Sequence, residues 1–429
     1  ERLASRMNSG LYHCEVRSTG AGRGRGVFAT HAMPAGTVIF REHSLVGLQH
    51  KTNRAAGPVV CERCFRFLGP LEAQMRSLLR GTGGPAAEAQ CPAQLPRVDG
   101  MRHLPAPVLC GCGLHYCSAA CRDASYAEYH KLLCPAAAAM ATPDGASSDA
   151  MQVDEGSAHS AAEAVQAKVS AWGRFEEHAL ATNEIFLMAA KAAALVLARC
   201  QAGQTLQQAA AEFAEGLPWW EAVARPDDVP AEDDASFRQA MRGALTQSWQ
   251  LLRPLLAPHA PADFALLASV DAYAAIVGSF ERHNCDVQVS SPIEEYLLLV
   301  DDLPEAHPAK PAITAVTAPL LATLGAAYDT ACEGIGFFPL QATLNHSCAP
   351  NVWLQKVEEA DEHDGRIVAV LRQEVRAGDE LCNSYIDSEL PYAARQRELA
   401  EYGITCRCAK CVAEQPVAAA PARAPRKLK

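Results

Sequence analysis

Apolar and polar residues alternate in short runs at the start of the chain, fall at helical spacing in its middle, then return to short runs. Cys14-Glu15-Val16-Arg17, Val27-Phe28-Ala29 and Thr37-Val38-Ile39-Phe40 read as strands separated by glycine-rich and Pro-Ala-Gly turns. From 175 to 199 the pattern becomes helical, with Ile185, Met188, Ala189, Ala192, Leu195 and Val196 on one face. Helical patterns continue over 206–213, 237–252 and 264–280, with breaks expected at Pro218, Pro226, Pro230 and Pro254. This apolar stripe is ordinary core and carries no chemistry. A strand is expected over 284–290, further elements over 297–303 and 313–328 (the latter helical), and strands over 366–371 and 380–386. Pro391 then opens a helix over 392–400. The stretch 65–109 reads as a long Gly/Ala/Pro-rich loop, and 135–170 as a disordered linker or surface insertion.

The chain has 429 residues, enough for two or three domains. No run of 18 apolar residues occurs, so no membrane span is expected, and the first residues carry no signal-peptide core. A net charge of -11 argues against bulk-charge binding to nucleic acid. The basic end, Arg423-Ala424-Pro425-Arg426-Lys427-Leu428-Lys429, reads as a solvated tail.

The 17 cysteines change the picture more. Cys61-x2-Cys64, Cys110-x-Cys112, Cys117-x3-Cys121 and His130-x3-Cys134 have metal-ligand spacing, and His130 and Cys134 share a face if the segment is helical. Eight such ligands make two closed structural zinc sites and place the chain in a reducing compartment. Cys406, Cys408 and Cys411 bind one more ion if a fourth ligand arrives, and Cys348 is the candidate. The run Gly20-Ala21-Gly22-Arg23-Gly24-Arg25-Gly26 lacks the Gly-Lys-Ser/Thr ending of a phosphate loop, and alone it reads as a hairpin with solvated arginines. Asn345-His346-Ser347-Cys348 offers an amide, an imidazole and a thiol together, which alone is equally compatible with core packing.

Together these motifs resemble the SET-domain protein lysine methyltransferases, in the branch with an inserted MYND zinc module. Gly24-Arg25-Gly26-Val27-Phe28-Ala29 looks like the family's cofactor hairpin. The segment 61–134 looks like the MYND module. Asn345-His346-Ser347-Cys348, Gly378-Asp379-Glu380-Leu381 with Ser384-Tyr385-Ile386, and Cys406-x-Cys408-x2-Cys411 resemble the SET and post-SET motifs in the right order. The run from Ser384 through Tyr402-Gly403 further resembles the plant trithorax-related members.

The resemblance implies an α+β fold: a SET β-fold of several small sheets, an inserted two-zinc module, a helical block and a zinc-bound post-SET segment. The implied organisation is 12–60 as the N-terminal part of the SET domain, 61–134 as the zinc module and 135–170 as a low-complexity linker. The helical insertion takes 171–280, the C-terminal SET core 281–390, the post-SET segment 391–412 and a disordered basic tail 413–429. Arg23, Gly24, Arg25, Asn284, Asn345, His346 and Tyr385 would bind S-adenosylmethionine. Tyr385 would be the catalytic tyrosine, and Tyr402, with Phe337, would wall the lysine channel. Cys61, Cys64, Cys117 and Cys121 would hold one zinc, Cys110, Cys112, His130 and Cys134 a second, and Cys348, Cys406, Cys408 and Cys411 a third. Two positions depart from the family pattern. Cys110-x-Cys112 replaces C-x2-C, leaving Cys91 or His115 as a substitute ligand, and Ile404 stands where an aromatic residue usually meets adenine. The expected substrate is a protein lysine, on a histone or on a cytosolic or ribosomal protein, and a monomer in nucleus or cytoplasm is expected. An alternative is a catalytically weak zinc-built scaffold whose module takes a proline-rich peptide.

Overall fold

The computed structural model describes residues 12–20, 24–136, 155–213, 217–226, 228–261, 264, 269–356 and 363–415, with backbone only over 155–164. Arg23, the linker stretch 137–154 and the tail from 416 lie outside the described residues. The described strands are β1 (Cys14–Ser18), β2 (Arg25–Ala29), β3 (Val38–Glu42), β4 (Val46–Gln49), β5 (Val108–Leu109), β6 (His115–Tyr116), β7 (Asn284–Val289), β8 (Cys332–Phe337), β9 (Asn345–His346), β10 (Val352–Lys356), β11 (Ile367–Leu371) and β12 (Glu380–Asn383). The chain divides into two units. Among the described residues, the first comprises those within 41–342 and 355–368, and the second those within 12–40, 343–354 and 369–415. The four-stranded sheet β1-β2-β12-β9 belongs to the second unit and the three-stranded sheet β4-β8-β7 to the first. A third sheet is ordered β10-β11-β3.

In the first unit the helix Ile185–Gln201 is buried from Ile185 through Ala198, so its many alanines face neighbours on all sides. Their small side chains let other elements approach closely, and Phe186, Trp219, Trp249 and Tyr273 fill the surrounding space. Phe337 joins this core. It is 1% exposed, and its ring lies 5.2 Å from Phe213 and 5.4 Å from Phe280. Its ring is therefore committed to aromatic packing with the helical block, which corrects its expected place in a lysine channel.

Three element expectations also need correction. Residues 155–170, read as linker, lie in the helix Glu155–Thr182, because Ala, Glu, Gln and Lys favour helix once tertiary packing is available. The supposed loop after Cys64 contains the helix Leu71–Glu88, whose buried Leu71, Met75, Leu78 and Leu79 keep helical spacing. The run Gly81-Thr82-Gly83-Gly84-Pro85 disguised it, and the chain kinks there with Gly84 at φ 71°. Pro254 does not end its helix, which runs from Asp234 to Leu256. The segment Lys310–Asp329 is long and apolar enough to cross a membrane. Ile313, Leu320 and Leu324 on it pack with Met75, Leu78 and Tyr296, the use a folded core makes of an apolar helix.

A buried charge cluster ties the segment after Cys61 to the helical block within this unit. Glu62 accepts from Arg54 Nη2 and from Lys191 Nζ, each at 2.7 Å, and Lys191 Nζ also donates to the Gly47 carbonyl at 2.7 Å. Burial alone would raise the Glu62 carboxyl, but Lys191 and Arg54 hold it at about 2. Lys191→Met is expected to cost about 1–3 kcal/mol, because it leaves the buried Glu62 carboxylate with Arg54 as its remaining charged partner. Denaturant unfolding measures this, and adding Glu62→Gln to the variant should restore part of the loss. Equal stability of wild type and Lys191→Met would show that the pair contributes nothing.

Candidate active site and metal centres

The sheet of the second unit makes neighbours of three separate sequence motifs. β12 runs antiparallel to β2, with Leu381 opposite Val27, and parallel to β9, with Cys382 opposite Asn345 and Asn383 opposite His346. Val27 and Leu381 are both fully buried, so apolar burial fixes the register that brings the polar residues together. Asn345 Nδ2 donates to the Arg25 carbonyl at 2.9 Å and to Glu380 Oε1 at 2.8 Å. A Cβ at Gly26 would stand 2.9 Å from Asn345 Nδ2 and 2.9 Å from Glu380 Oε1, so a larger residue there would displace the ends of these two side chains. Asn351 straddles Leu381: its Nδ2 donates to the Glu380 carbonyl at 2.8 Å and its Oδ1 accepts from Cys382 N–H at 2.8 Å.

Two residues beyond β12, the Tyr385 N–H donates to His346 Nδ1 at 3.1 Å. The two rings meet edge-on with centroids 5.4 Å apart, and the Tyr402 ring lies 5.6 Å from that of Tyr385 on its other contact. The Tyr385 hydroxyl donates to the Leu344 carbonyl at 2.6 Å. Burial pushes its phenol well above the usual tyrosine range, so it is neutral at physiological pH. Burial, helped by the charge of Arg395, lowers His346 to about 4, consistent with a neutral ring that accepts through Nδ1. Asn383 Oδ1 is buried beside these groups without a hydrogen-bond partner. An unpartnered acceptor, amide and imidazole groups and two aromatic rings fit a ligand bearing ammonium and hydroxyl donors and a cationic centre.

The twelve cysteine and histidine side chains named from the sequence fall into three groups. They are Cys61, Cys64, Cys117 and Cys121; Cys110, Cys112, His130 and Cys134; and Cys348, Cys406, Cys408 and Cys411, with the donor atoms of each group within 4.8 Å of one another. Cys64 Sγ lies 3.5 Å from Cys117 Sγ, Cys110 Sγ 3.7 Å from Cys134 Sγ, and Cys411 Sγ 3.5 Å from Cys348 Sγ. Ligands about 2.3 Å from a tetrahedral ion would be about 3.8 Å apart, so these donor sets fit a metal. None of these cysteines forms a disulfide.

The shortened Cys110-x-Cys112 knuckle needs no substitute ligand. Gly113, at φ 92°, lets its N–H reach the Cys110 carbonyl at 2.9 Å while Cys110 N–H bonds Leu114 O at 2.8 Å. The first knuckle closes the same way, with Phe65 N–H on Cys61 O at 2.9 Å and Phe65 at φ 63°. Cys91 packs in a different core with Leu71 and Leu95, and His115 is an exposed residue of β6. Ser118 caps the helix Ala119–Ser125, so Cys117 stands before the helix that carries Cys121. Cys134 likewise stands just past its helix in an extended conformation.

The model of the SET domain matches residues 24–386. The chain belongs to the SET-domain family. It is 32% identical to the histone-lysine N-methyltransferase ATXR2 of Arabidopsis thaliana, over 96% of this chain and 92% of that protein. It is 26% identical to the protein-lysine N-trimethyltransferase SMYD5 of Mus musculus, over 93% of this chain and 86% of the relative. A SET and MYND domain-containing protein of Dictyostelium discoideum is 39% identical over 19% of this chain and 15% of its own length.

Within this SET-domain chain the structure brings together Arg25, Asn345, His346, Tyr385 and Tyr402, and Gly24, at φ 73°, turns the backbone into β2. Asn284 belongs to the other unit, where it begins β7 opposite Phe337. Sequence reasoning missed Glu380 and Asn383, which the motif Glu380-Leu381-Cys382-Asn383 contains but whose partners depend on the sheet register. It also missed Arg395 and Gln396, which an exposed-looking amphipathic helix conceals. Ile404 packs beside Leu399 and the cysteines of the third group.

Proposed function

We propose that this chain is an S-adenosylmethionine-dependent protein-lysine N-methyltransferase. The observation that carries the reading is the sheet of a SET-family chain that joins Asn345 and His346 to Tyr385, with Tyr402 against the same ring. Gly24, Arg25, Asn345, His346 and Tyr385 would hold the cofactor. When bound, S-adenosylmethionine supplies an electrophilic methyl group on a sulfonium centre. Tyr385 cannot act as a general base at neutral pH, since burial keeps its phenol protonated. Its role is orientation: its proton is directed to the Leu344 carbonyl, so its oxygen lone pairs are left to face an amine or a polarised methyl group. The rings of Tyr385 and Tyr402 exclude water from a lysine side chain, which disfavours its ammonium form and leaves a nucleophilic amine. Placement of that amine supplies much of the barrier reduction.

All three Cys/His groups are proposed to hold zinc, given their soft donors and closed coordination sets. The segment 61–134 would then be a two-zinc module, 171–280 a helical insertion, and 391–412 a post-SET segment built on the third ion. A histone lysine is the proposed substrate and the nucleus the proposed site of action. The test is transfer of a methyl label from S-adenosylmethionine to histones and, in parallel, to fractionated cytosolic and ribosomal proteins. Labelled histone lysine is the expected result; label on cytosolic or ribosomal protein alone would move the substrate, and cofactor binding without transfer would favour the scaffold reading.

A further inference from the structure

Among the described residues of the second unit, Arg395 is the one fully buried charged side chain, 1% exposed. Isolated burial of a guanidinium is costly, so its surroundings should explain it. Its Nη1 donates to the Leu390 carbonyl. Its Nη2 donates to Glu414 Oε2 at 2.7 Å and reaches Cys411 Sγ at 3.7 Å. Glu414 is 41% exposed and so only partly compensates the charge. The next residue, Gln396, directs its Nε2 to Cys411 Sγ at 3.4 Å and to the Cys406 carbonyl at 3.0 Å. Cys411 itself is 2% exposed. Four thiolates around one divalent ion leave about two uncompensated negative charges, here in an apolar setting with Leu399, Ile386 and Ile404. A buried cation and a half-buried amide donor, adjacent on one helix and aimed at one sulfur, answer that excess.

We propose that Arg395 and Gln396 form the outer shell of the third metal centre, with Arg395 as its counter-cation. Their N–H groups bond the Cys411 thiolate, lower its nucleophilicity and retain the ion. Both sit on the helix Tyr392–Glu401, whose C-terminal cap is Tyr402. The same bonds therefore set where Tyr402 stands, which makes Arg395 a positioning residue for the aromatic pair. This inference rests on reading the third cysteine group as a metal centre.

The test uses the full-length protein, a chromogenic zinc chelator and maleimide alkylation mapped to each cysteine by mass spectrometry. Arg395→Gln should speed alkylation of Cys348, Cys406, Cys408 and Cys411 by about 10–100-fold, if exposure of the thiols follows the loss of metal affinity that removing an outer-shell partner brings. Rates at Cys61, Cys64, Cys110 and Cys112 should not change. Arg395→Lys should recover part of the protection by keeping the charge, and Glu414→Gln should leave the N–H···S bonds and stay near wild type. Gln396→Ala, a milder change, should raise Cys411 alkylation if Arg395→Gln fails to fold. Unchanged rates at the four thiols in Arg395→Gln, or in Gln396→Ala when the first variant is unfolded, would overturn the proposal. Equal acceleration at all three cysteine groups would also overturn it, by marking a purely structural role. Wild-type thiols of the third group that alkylate at once without chelator would instead overturn the metal reading, and the proposal with it.

Discussion

Tyr385→Phe is expected to lower kcat for methyl transfer by about 100- to 1,000-fold, the range found when one preorganised polar group is removed from a reacting centre. The variant keeps the ring that packs edge-on against His346 and faces Tyr402. It also keeps the backbone bond from Tyr385 N–H to His346 Nδ1. What it loses is the hydroxyl held 2.6 Å from the Leu344 carbonyl, and with it a fixed oxygen beside the proposed amine path. Unfolding stability and metal content should stay close to wild type. Cofactor affinity should change little if the hydroxyl acts on the transition state, so the loss should fall on kcat. Single-turnover methyl transfer with the purified variant decides the matter, and full activity would remove Tyr385 from the mechanism.

Cys348→Ser is expected to release the metal of the third group and weaken S-adenosylmethionine binding together. The two effects are linked because Cys348 stands two residues after His346, and His346 Nε2 lies 3.2 Å from Cys348 Sγ. Serine oxygen is a poor substitute for a soft thiolate, so Cys406, Cys408 and Cys411 would lose their anchor to the turn that follows β9. Metal affinity should fall by at least the 10–100-fold seen for outer-shell losses, since a direct ligand is removed. Metal analysis and calorimetric titration with S-adenosylmethionine measure the two arms. Loss of metal with unchanged cofactor affinity would separate the centre from the site.

The ligand groups were legible in the sequence because metal coordination demands donors at short, fixed spacings. Cys61-x2-Cys64 and Cys406-x-Cys408-x2-Cys411 announce their knuckles without any knowledge of the fold. The strands around Val27 and Leu381 were also legible, from alternation and turn glycines. The helix Leu71–Glu88 was not, because a Gly-Pro kink near its end resembles a loop. The helix Glu155–Thr182 was hidden by composition, since Ala-rich sequence forms helix or remains a linker according to what it packs against. Phe337 beside a polar motif suggested a channel wall, yet packing with Phe213 and Phe280 places it in the core.

The sequence by itself determined which residue types this SET-domain chain brings to metal and cofactor chemistry, and in what order. Short-range spacing is enough for that, because knuckles and turns are local structures. Only the tertiary structure decided that Cys110-x-Cys112 closes its own group with His130 and Cys134, leaving Cys91 in a separate core. It alone showed that Gly26 lies against the side-chain ends of Asn345 and Glu380 where they meet, and that Arg395 is buried against Cys411. Those facts depend on strand register and on the face a helix buries, and both are set by packing between residues hundreds of positions apart or on opposite sides of a turn.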